Sequence, residues 1–91
     1  MLEIEFTNKM KRDVKLMQRR GKDLIKLTTT LTLLASRTAM PKSYQDHQLS
    51  GNLKDFRECH IEPDWLLLYQ ISENKLILTA SGTGKHLDLF S

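Results

Sequence analysis

The sequence predicts a single α+β domain in which two N-terminal helices pack on a mainly antiparallel sheet. Helical patterns follow one another near the N-terminus, and strand patterns follow one another in the second half of the chain. Segregated helices and strands are typical of α+β folds with the helices on one face of the sheet. A chain of 91 residues forms one domain, residues 1–91, with one modest core. The predicted order is β-α-α-β-β-β, with four strands.

Residue spacing predicts the first strand and the two helices. Apolar and polar residues alternate through residues 2–7, as in a half-buried strand. Thr7 or Asn8 can cap a first amphipathic helix, and Gly21 stands where a left-handed C-terminal residue is expected. A second helix is expected from about Lys22, with an apolar stripe at helical spacing. The stripe consists of Leu24, Leu27, Leu31 and Leu34.

The rest of the chain is predicted to be a loop and three strands. Proline, glycine and serine interrupt the pattern through residues 36–52, which indicates a loop. Strands are expected at 53–61, 65–71 and 75–80, and the last two form a hairpin because a turn signal separates them. Residues 82–84 (Gly-Thr-Gly) are expected to loosen the chain before a short tail.

The charge is unevenly distributed along the chain. Residues 1–42 hold ten Lys or Arg and four Asp or Glu, a net +6, whereas residues 43–91 hold four and seven, a net −3. A basic half indicates a polyanionic partner such as nucleic acid, although a solvated helix face explains the same charge. No apolar run reaches the roughly 20 residues of a membrane span. The alternating, acidic N-terminus does not read as a signal peptide, and the single cysteine favours a reducing cytoplasm.

All three histidines, His47, His60 and His86, lie in the second half of the chain. Cleavage of RNA requires removal of the ribose 2′-hydroxyl proton, protonation of the leaving 5′-oxygen and stabilisation of charge at phosphorus. Histidine exchanges protons near neutral pH, so His60 and His86 are candidates for the proton transfers together with Asp64. Candidates for stabilising the charge are Lys54, Arg57 and Lys85. The competing interpretation is three unrelated surface histidines.

Two aromatic residues are candidate RNA contacts. A base stacked on an aromatic side chain contributes about 1–3 kcal/mol. Trp65 heads an apolar strand, so core packing is the stronger expectation for it from position alone. Phe90, next to the last residue, is expected to be an anchor or a contact.

Nucleotide binding and structural zinc are both disfavoured. Residues 82–85 (Gly-Thr-Gly-Lys) resemble the end of a phosphate-binding loop, but the longer glycine spacing and the following helix are missing. Cys59 and the three histidines have a spacing that matches no compact zinc pattern. We therefore expect no metal and no other cofactor.

Residues 44–69, YQDHQLSGNLKDFRECHIEPDWLLLY, resemble the YafQ-type toxins of the RelE superfamily. The closing residues 84–90, GKHLDLF, are similar to that family's Gly-Ser/Thr-His-x-x-Leu-Phe ending, and residues 13–16 (Asp-Val-Lys-Leu) also fit. The resemblance covers essentially the whole chain and implies a RelE-like fold. It implies a bacterial, cytoplasmic type II toxin that cuts mRNA in the ribosomal A site without metal. A DinJ/RelB-like antitoxin would neutralise it, in a complex expected to be a heterotetramer.

The resemblance also implies roles for individual residues. His47, His60, Asp64 and His86 match the family's acid–base cluster. Trp65 and Phe90 match its aromatic positions near the RNA, and the basic helices are expected to contact ribosomal RNA.

One position departs from the family pattern. Aligned from His86, Gly82 falls where the family usually has an arginine, which is expected to stabilise charge on the scissile phosphate. Loss of such a group costs on the order of 10²–10³ in rate. Either Lys85 or Arg57 replaces it, or the toxin is naturally weak, or the chain carries an attenuating substitution. The alternative function is therefore a weak or inactive toxin-fold protein that only binds ribosome, RNA and antitoxin.

Overall fold

Five strands form one mixed sheet in the computed structural model, which describes residues 1–90. In chain order they are β1 (Glu3–Phe6), β2 (His47–Gln48), β3 (Arg57–Glu62), β4 (Trp65–Ser72) and β5 (Ile77–Gly84). The spatial order is β1-β5-β4-β3-β2, with β1 parallel to β5 and every other pair antiparallel. The helices are α1 (Asn8–Arg19), α2 (Leu24–Ala35) and α3 (His86–Phe90), with single 3₁₀ turns at Lys42–Tyr44 and Gly51–Leu53.

The predicted α+β class, with two N-terminal helices on a mainly antiparallel sheet, is confirmed, but the strand count of four was wrong. The extra strand, β2, has only two residues and lies within the segment predicted to be a loop. It pairs His47 with Glu58 and Gln48 with Arg57. Two residues are too few to leave an alternating pattern, so this strand exists through its pairing with β3 rather than through its own sequence.

Local hydrogen bonds explain where α1 and α2 begin and end. The Thr7 hydroxyl accepts a bond from the Met10 N–H at 3.0 Å, and the Asp23 carboxylate accepts one from the Ile25 N–H at 3.0 Å. Gly21 takes a positive φ of 81° in the connection between the helices, as predicted. The Thr30 side chain is fully buried within α2 and donates to the Lys26 carbonyl at 2.8 Å, so its hydroxyl is satisfied.

The core fills the space between the two long helices and one face of the sheet. Because strand side chains alternate, Cys59, Trp65, Leu67 and Tyr69 point into this core, whereas Glu58 and His60 point to the opposite face. A bulge between His60 and Glu62 shifts the register, so Glu62 pairs with Trp65 and lies on the helix side, where it forms ion pairs with Lys22 and Lys26. The buried core includes Met10, Met17, Leu27, Leu31, Leu34, Cys59, Trp65, Leu67, Tyr69 and Leu78. The opposite face carries Glu58 and His60, and α1 reaches it only at the β5 edge, where Lys9 and Asp13 lie beside Gly82.

The end of the chain is more regular than predicted. Strand β5 continues through residues 82–84, and the expected tail is the short helix α3. The glycines permit this arrangement, because a Cβ at Gly82 would lie 3.1 Å from the Leu89 side chain and one at Gly84 would lie 2.9 Å from that of Asp88. Strand β3 also begins later than predicted, at Arg57, because residues 51–53 form a turn. Within residues 1–90, no helix is long and apolar enough to cross a membrane.

Candidate active site

A nearly buried carboxylate lies between two of the predicted catalytic histidines. The Glu58 side chain is 9% exposed, and its Oε1 atom lies 3.6 Å from His47 Nε2 and 4.0 Å from His60 Nε2. The sheet produces this geometry, since His47 pairs with Glu58 across β2 and β3, and His60 lies two residues along β3 on the same face. Both contacts become ion pairs when the imidazoles are protonated.

Backbone carbonyls orient both imidazole rings. His47 Nδ1 lies 2.6 Å from the Gln45 carbonyl oxygen, and His60 Nδ1 lies 3.1 Å from that of Pro63. A carbonyl oxygen only accepts, so each contact is a hydrogen bond when Nδ1 carries the proton. Nε2 is then the atom left to exchange protons, and in both rings it faces Glu58.

The third histidine enters the same face from α3. His86 is the first residue of that helix, and its ring stacks obliquely on Phe90, with 4.9 Å between centroids. Two shallow hollows of about 430 and 410 Å³ are both lined by Glu58 and His86. The predicted site residues that line one or both hollows are His47, His60, Asp64, Lys85, His86 and Phe90.

Trp65 lies elsewhere, in the core. Its exposed fraction is 0%, and its indole Nε1 donates a hydrogen bond to the Thr83 hydroxyl at 2.8 Å. The Lys22 ammonium lies 5.8 Å from the ring centroid. A ring with no exposed surface has no face on which a base can stack, so the structure supports core packing for Trp65 and not direct contact with RNA.

Arg57 and Lys54 also lie away from the histidines. Arg57 precedes Glu58 in β3, so its side chain points to the core side of the sheet, away from the face that carries Glu58. Its guanidinium donates to Asp46 at 3.0 Å and to the Tyr69 hydroxyl at 3.3 Å, and that hydroxyl in turn donates to Asp46. Lys54 lines the same separate hollow as Arg57. Of the two residues considered as replacements for the family arginine, only Lys85 lines a hollow that contains histidines.

The surroundings of Gly82 are already occupied. A Cβ atom at this position would lie 3.1 Å from Lys9 Nζ, 3.1 Å from Leu89 Cδ2 and 3.2 Å from Asp13 Oδ2. Gly82 pairs with Leu68, which in turn pairs with Glu58, so the glycine lies in the same cross-strand row as the carboxylate. A longer side chain at position 82 therefore requires the ends of these neighbouring side chains to move.

Glu58, at the centre of this face, was not predicted as a site residue, although the sequence contains a usable signal for it. In the predicted strand, Phe56, Glu58 and His60 lie on one face, and Arg57, Cys59 and Ile61 lie on the other. The signal was the placement of Glu58 on the same face as His60. The two-residue strand β2, which brings His47 next to Glu58, left no such signal.

Cys59 takes no part in this face. Its side chain is fully buried in the core, and burial, followed by the nearby charges of Asp46 and Glu58, raises the pKa of its thiol to about 12. A thiol of that kind stays protonated at neutral pH and is neither a nucleophile nor a ready metal ligand. Across the described chain, no group of three or more His, Cys, Asp or Glu residues is arranged to hold a metal ion.

Comparison with known proteins identifies the family. Residues 2–91 match the family described as "Bacterial toxin of type II toxin-antitoxin system, YafQ". The chain belongs to the YafQ family of toxins. It is 42% identical over 89 residues to the mRNA interferase toxin YafQ of Escherichia coli strain K12, an alignment that covers 97% of this chain and 95% of the relative.

Solved structures of similar proteins share the fold over their whole length. A metal-bound toxin from Helicobacter pylori superposes with a TM-score of 0.94 at 42% identity, covering 99% of this chain and 100% of the other. YafQ in the E. coli DinJ–YafQ complex superposes with a TM-score of 0.90 at 39% identity, covering 100% of both chains. The overall fold is therefore shared with these neighbours.

Proposed function

We propose that this chain is an mRNA interferase, an endoribonuclease toxin that cleaves mRNA in the ribosomal A site by metal-independent acid–base catalysis. The observation that carries the proposal is that Glu58 lies within 4.0 Å of both His47 and His60 and lines two hollows together with His86. Family membership supports the same reaction, because the E. coli relative is an mRNA interferase.

The proposed reaction transfers phosphorus from one ribose oxygen to another. One general base removes the proton of the 2′-hydroxyl, the 2′-oxygen forms a bond to phosphorus, and the bond from phosphorus to the 5′-oxygen breaks. A general acid gives the departing 5′-oxygen its proton, which leaves a 2′,3′-cyclic phosphate. General acids and bases contribute about 10²–10⁴ each.

The chain's own residues supply these roles in the proposal. His86 is essential, His60 and Asp64 transfer or orient protons, and His47 supports them through Glu58. Lys85 stabilises the negative charge that develops at phosphorus, since it lines the same hollow as His60 and His86. Phe90, beside His86 on α3, contacts the RNA.

Basic residues on the outer surface of α1 are proposed to bind ribosomal RNA. Lys11, Lys15 and Arg19 recur every four residues and therefore share one helix face, with Arg12 beside them. All four are exposed and form no ion pair with the described residues. This stripe supplies unneutralised positive charge on a different element from the histidines.

A second proposed partner is an antitoxin similar to DinJ or RelB. The support is the solved E. coli complex of DinJ with YafQ, whose toxin chain matches this one from end to end. Such antitoxins commonly dimerise, so we expect a heterotetramer in the cytoplasm of a bacterium. Co-expression with an adjacent small gene product, followed by measurement of the mass of the complex, tests this partner.

The reaction is tested by incubating the purified chain with mRNA on programmed ribosomes at constant Mg²⁺, with and without a chelator selective for transition metals. We expect cleavage in the A site, a 2′,3′-cyclic phosphate at the new end, and no effect of the chelator. His86→Ala is expected to fold normally and to lose cleavage. Normal cleavage by that variant, or loss of cleavage with the transition-metal chelator while the ribosomes stay intact, contradicts the proposed mechanism.

The crowded surroundings of Gly82 favour one alternative, a toxin-fold protein that binds ribosome and antitoxin without cutting. No arginine stands at this position, and Lys9, Asp13 and Leu89 occupy the adjacent space. Gly82→Arg distinguishes the two functions. If only this variant cuts, the chain is an attenuated toxin; if neither cuts although both bind ribosomes, the binding function is correct.

A further inference from the structure

The helix that carries His86 is too short to be stable on its own. Helix α3 has five residues, whereas an isolated helix shorter than about 12 residues is marginal in water. The proposed function nevertheless requires it to hold His86 and Phe90 in fixed positions beside the hollow that Glu58 also lines. Contacts with the rest of the molecule must therefore determine its position.

Asp88 provides such contacts, both to the start of α3 and to the end of α1. Its Oδ2 atom accepts a hydrogen bond from the Lys85 N–H at 2.8 Å, which closes the first turn of α3. The same carboxylate accepts two bonds from Arg20, from Nη1 at 2.7 Å and from Nη2 at 3.4 Å. Forked arginine–carboxylate pairs fix orientation as well as distance. Because Arg20 follows the last residue of α1, this pair joins α3 to a long, packed helix.

The strand before α3 is shaped to receive this carboxylate. Gly84 has a φ of 155°, which favours glycine, and a Cβ on it would lie 2.9 Å from Asp88 Oδ2 and 3.0 Å from Asp88 Cβ. The absence of a side chain at Gly84 is thus what allows Asp88 to approach. The hydrogen bonds from Arg20 and then from the Lys85 N–H lower the pKa of the Asp88 carboxyl, which agrees with both contacts being made to the ionised form.

We infer that Arg20 and Asp88, with the space left by Gly84, form a latch that positions His86 for catalysis. The inference rests on the proposed function. Neither residue is a catalytic residue, because they act through the orientation of α3. Small displacements of a catalytic group cost rate even when the fold is intact, so the latch acts on kcat rather than on substrate binding.

Asp88→Asn tests the latch because the latch and simple electrostatics predict opposite changes in the rate of cleavage. The substitution removes a negative charge from a protein that binds RNA, so electrostatics alone predicts equal or tighter ribosome binding and equal or faster cleavage. The latch predicts the reverse for the chemical step, a fall in kcat of about fivefold, which corresponds to one well-formed exposed pair. Asparagine keeps an oxygen that can accept from Lys85, so the variant mainly removes the pair with Arg20.

Glu73→Gln is the matched control. Glu73 forms the other exposed arginine pair, with Arg37 at 2.9 Å, at the opposite end of β4 from the histidine hollows. Glu73→Gln removes the same kind of interaction and the same charge as Asp88→Asn, and it leaves α3 unchanged. We expect wild-type kcat for Glu73→Gln. The KM for programmed ribosomes is expected to be unchanged or lower in both Glu73→Gln and Asp88→Asn.

Amide hydrogen exchange measures the latch without requiring activity. In Asp88→Asn, the Lys85 and Leu89 amides are expected to exchange about fivefold faster, while core amides of β4 exchange as in the wild type. Gly84→Ala, which places a methyl group against Asp88, is expected to have the same two effects.

The outcomes separate the latch from the proposed function. If wild-type protein cuts and Asp88→Asn cuts at the wild-type rate or faster, the latch is wrong and the mRNA interferase assignment stands. If wild-type protein does not cut, the proposed function fails, and exchange alone decides the latch. Unchanged Lys85 and Leu89 exchange in both variants overturns it; faster exchange confined to α3 supports it as a structural device.

Discussion

At the scale of single residues, the charge environment of Glu58 is unusual. Carboxylates that are nearly buried are normally paired with arginine or lysine. Within residues 1–90, the only ionic partners of Glu58 are the imidazoles of His47 and His60. Its charge is therefore compensated only when one of these rings carries a proton, which couples the carboxylate to the groups proposed to transfer protons.

The position of Trp65 shows how far residue-level prediction extends. Its place at the head of an apolar strand favoured the core, whereas family resemblance favoured RNA contact, and the structure supports the core. Burial depends on what packs above a strand, so the sequence of the strand alone does not decide it. Glu58 shows the same limit, because its partner His47 comes from a strand without a sequence pattern.

Trp65 is the single tryptophan of the chain, so its fluorescence reports this position directly. We predict a blue-shifted emission with little quenching by acrylamide, because the ring has no exposed surface. Adding single-stranded RNA should leave both properties unchanged. Strong acrylamide quenching that RNA relieves would show instead that the ring is exposed and stacks on bases.

At the scale of elements, β2 is held in place from the core side. Asp46, which immediately precedes β2, accepts hydrogen bonds from the Arg57 guanidinium and the Tyr69 hydroxyl. Burial of the phenol, followed by its hydrogen bond to Asp46, raises the pKa of Tyr69, so this hydroxyl remains a donor at neutral pH. A two-residue strand with such an anchor can present His47 at a fixed position beside Glu58.

Asp46→Asn is predicted to loosen this element. The change removes the charge that balances Arg57, and we expect the free energy of unfolding in urea to fall by about 1–3 kcal/mol. Cleavage should also slow, because His47 moves with β2. Asp55→Asn, at an exposed position in the same region, is the control and should leave stability unchanged. Equal stability of the two variants would contradict the anchoring role.

The elements that sequence predicted well are those with long patterns and clear caps. Helix α2 begins at Leu24, close to the start predicted near Lys22, and buries three of the four predicted leucines, Leu27, Leu31 and Leu34. Helix α1 ends before Gly21, as predicted. The elements that were missed, β2 and α3, have two and five residues. Their formation depends on partners far away in sequence, such as Glu58 for β2 and Arg20 for α3, and local patterns do not record those contacts.

At the scale of the whole molecule, two surfaces have different proposed tasks. The open sheet face presents the histidines, and the outer surface of α1 presents positive charge. Two of the four acidic residues in the basic half are already engaged, Asp13 in an ion pair with Lys9 and Asp23 in the cap of α2. This leaves the stripe of Lys11, Lys15 and Arg19 unneutralised.

The basic stripe predicts a salt-dependent contribution to ribosome binding. Replacing Lys11, Lys15 and Arg19 with glutamine should weaken binding and make its logarithm less dependent on the logarithm of salt concentration, by up to about 0.7–0.9 per lost phosphate contact. Cleavage of mRNA at saturating concentrations of programmed ribosomes should be retained, because the histidine face is unchanged. Lys75→Gln, at an exposed turn between β4 and β5, is the control. An unchanged salt slope in the triple variant would exclude the stripe as the binding surface.

The central claim is that the histidines and Glu58 form one proton-transfer centre that cleaves mRNA. Single-turnover cleavage on programmed ribosomes by wild-type protein and Glu58→Gln tests it most directly, with the exposed Glu5→Gln as control. We predict cleavage by the wild type and the control, and a rate lower by about 10²-fold for Glu58→Gln. Cleavage by folded Glu58→Gln at the wild-type rate would contradict the claim.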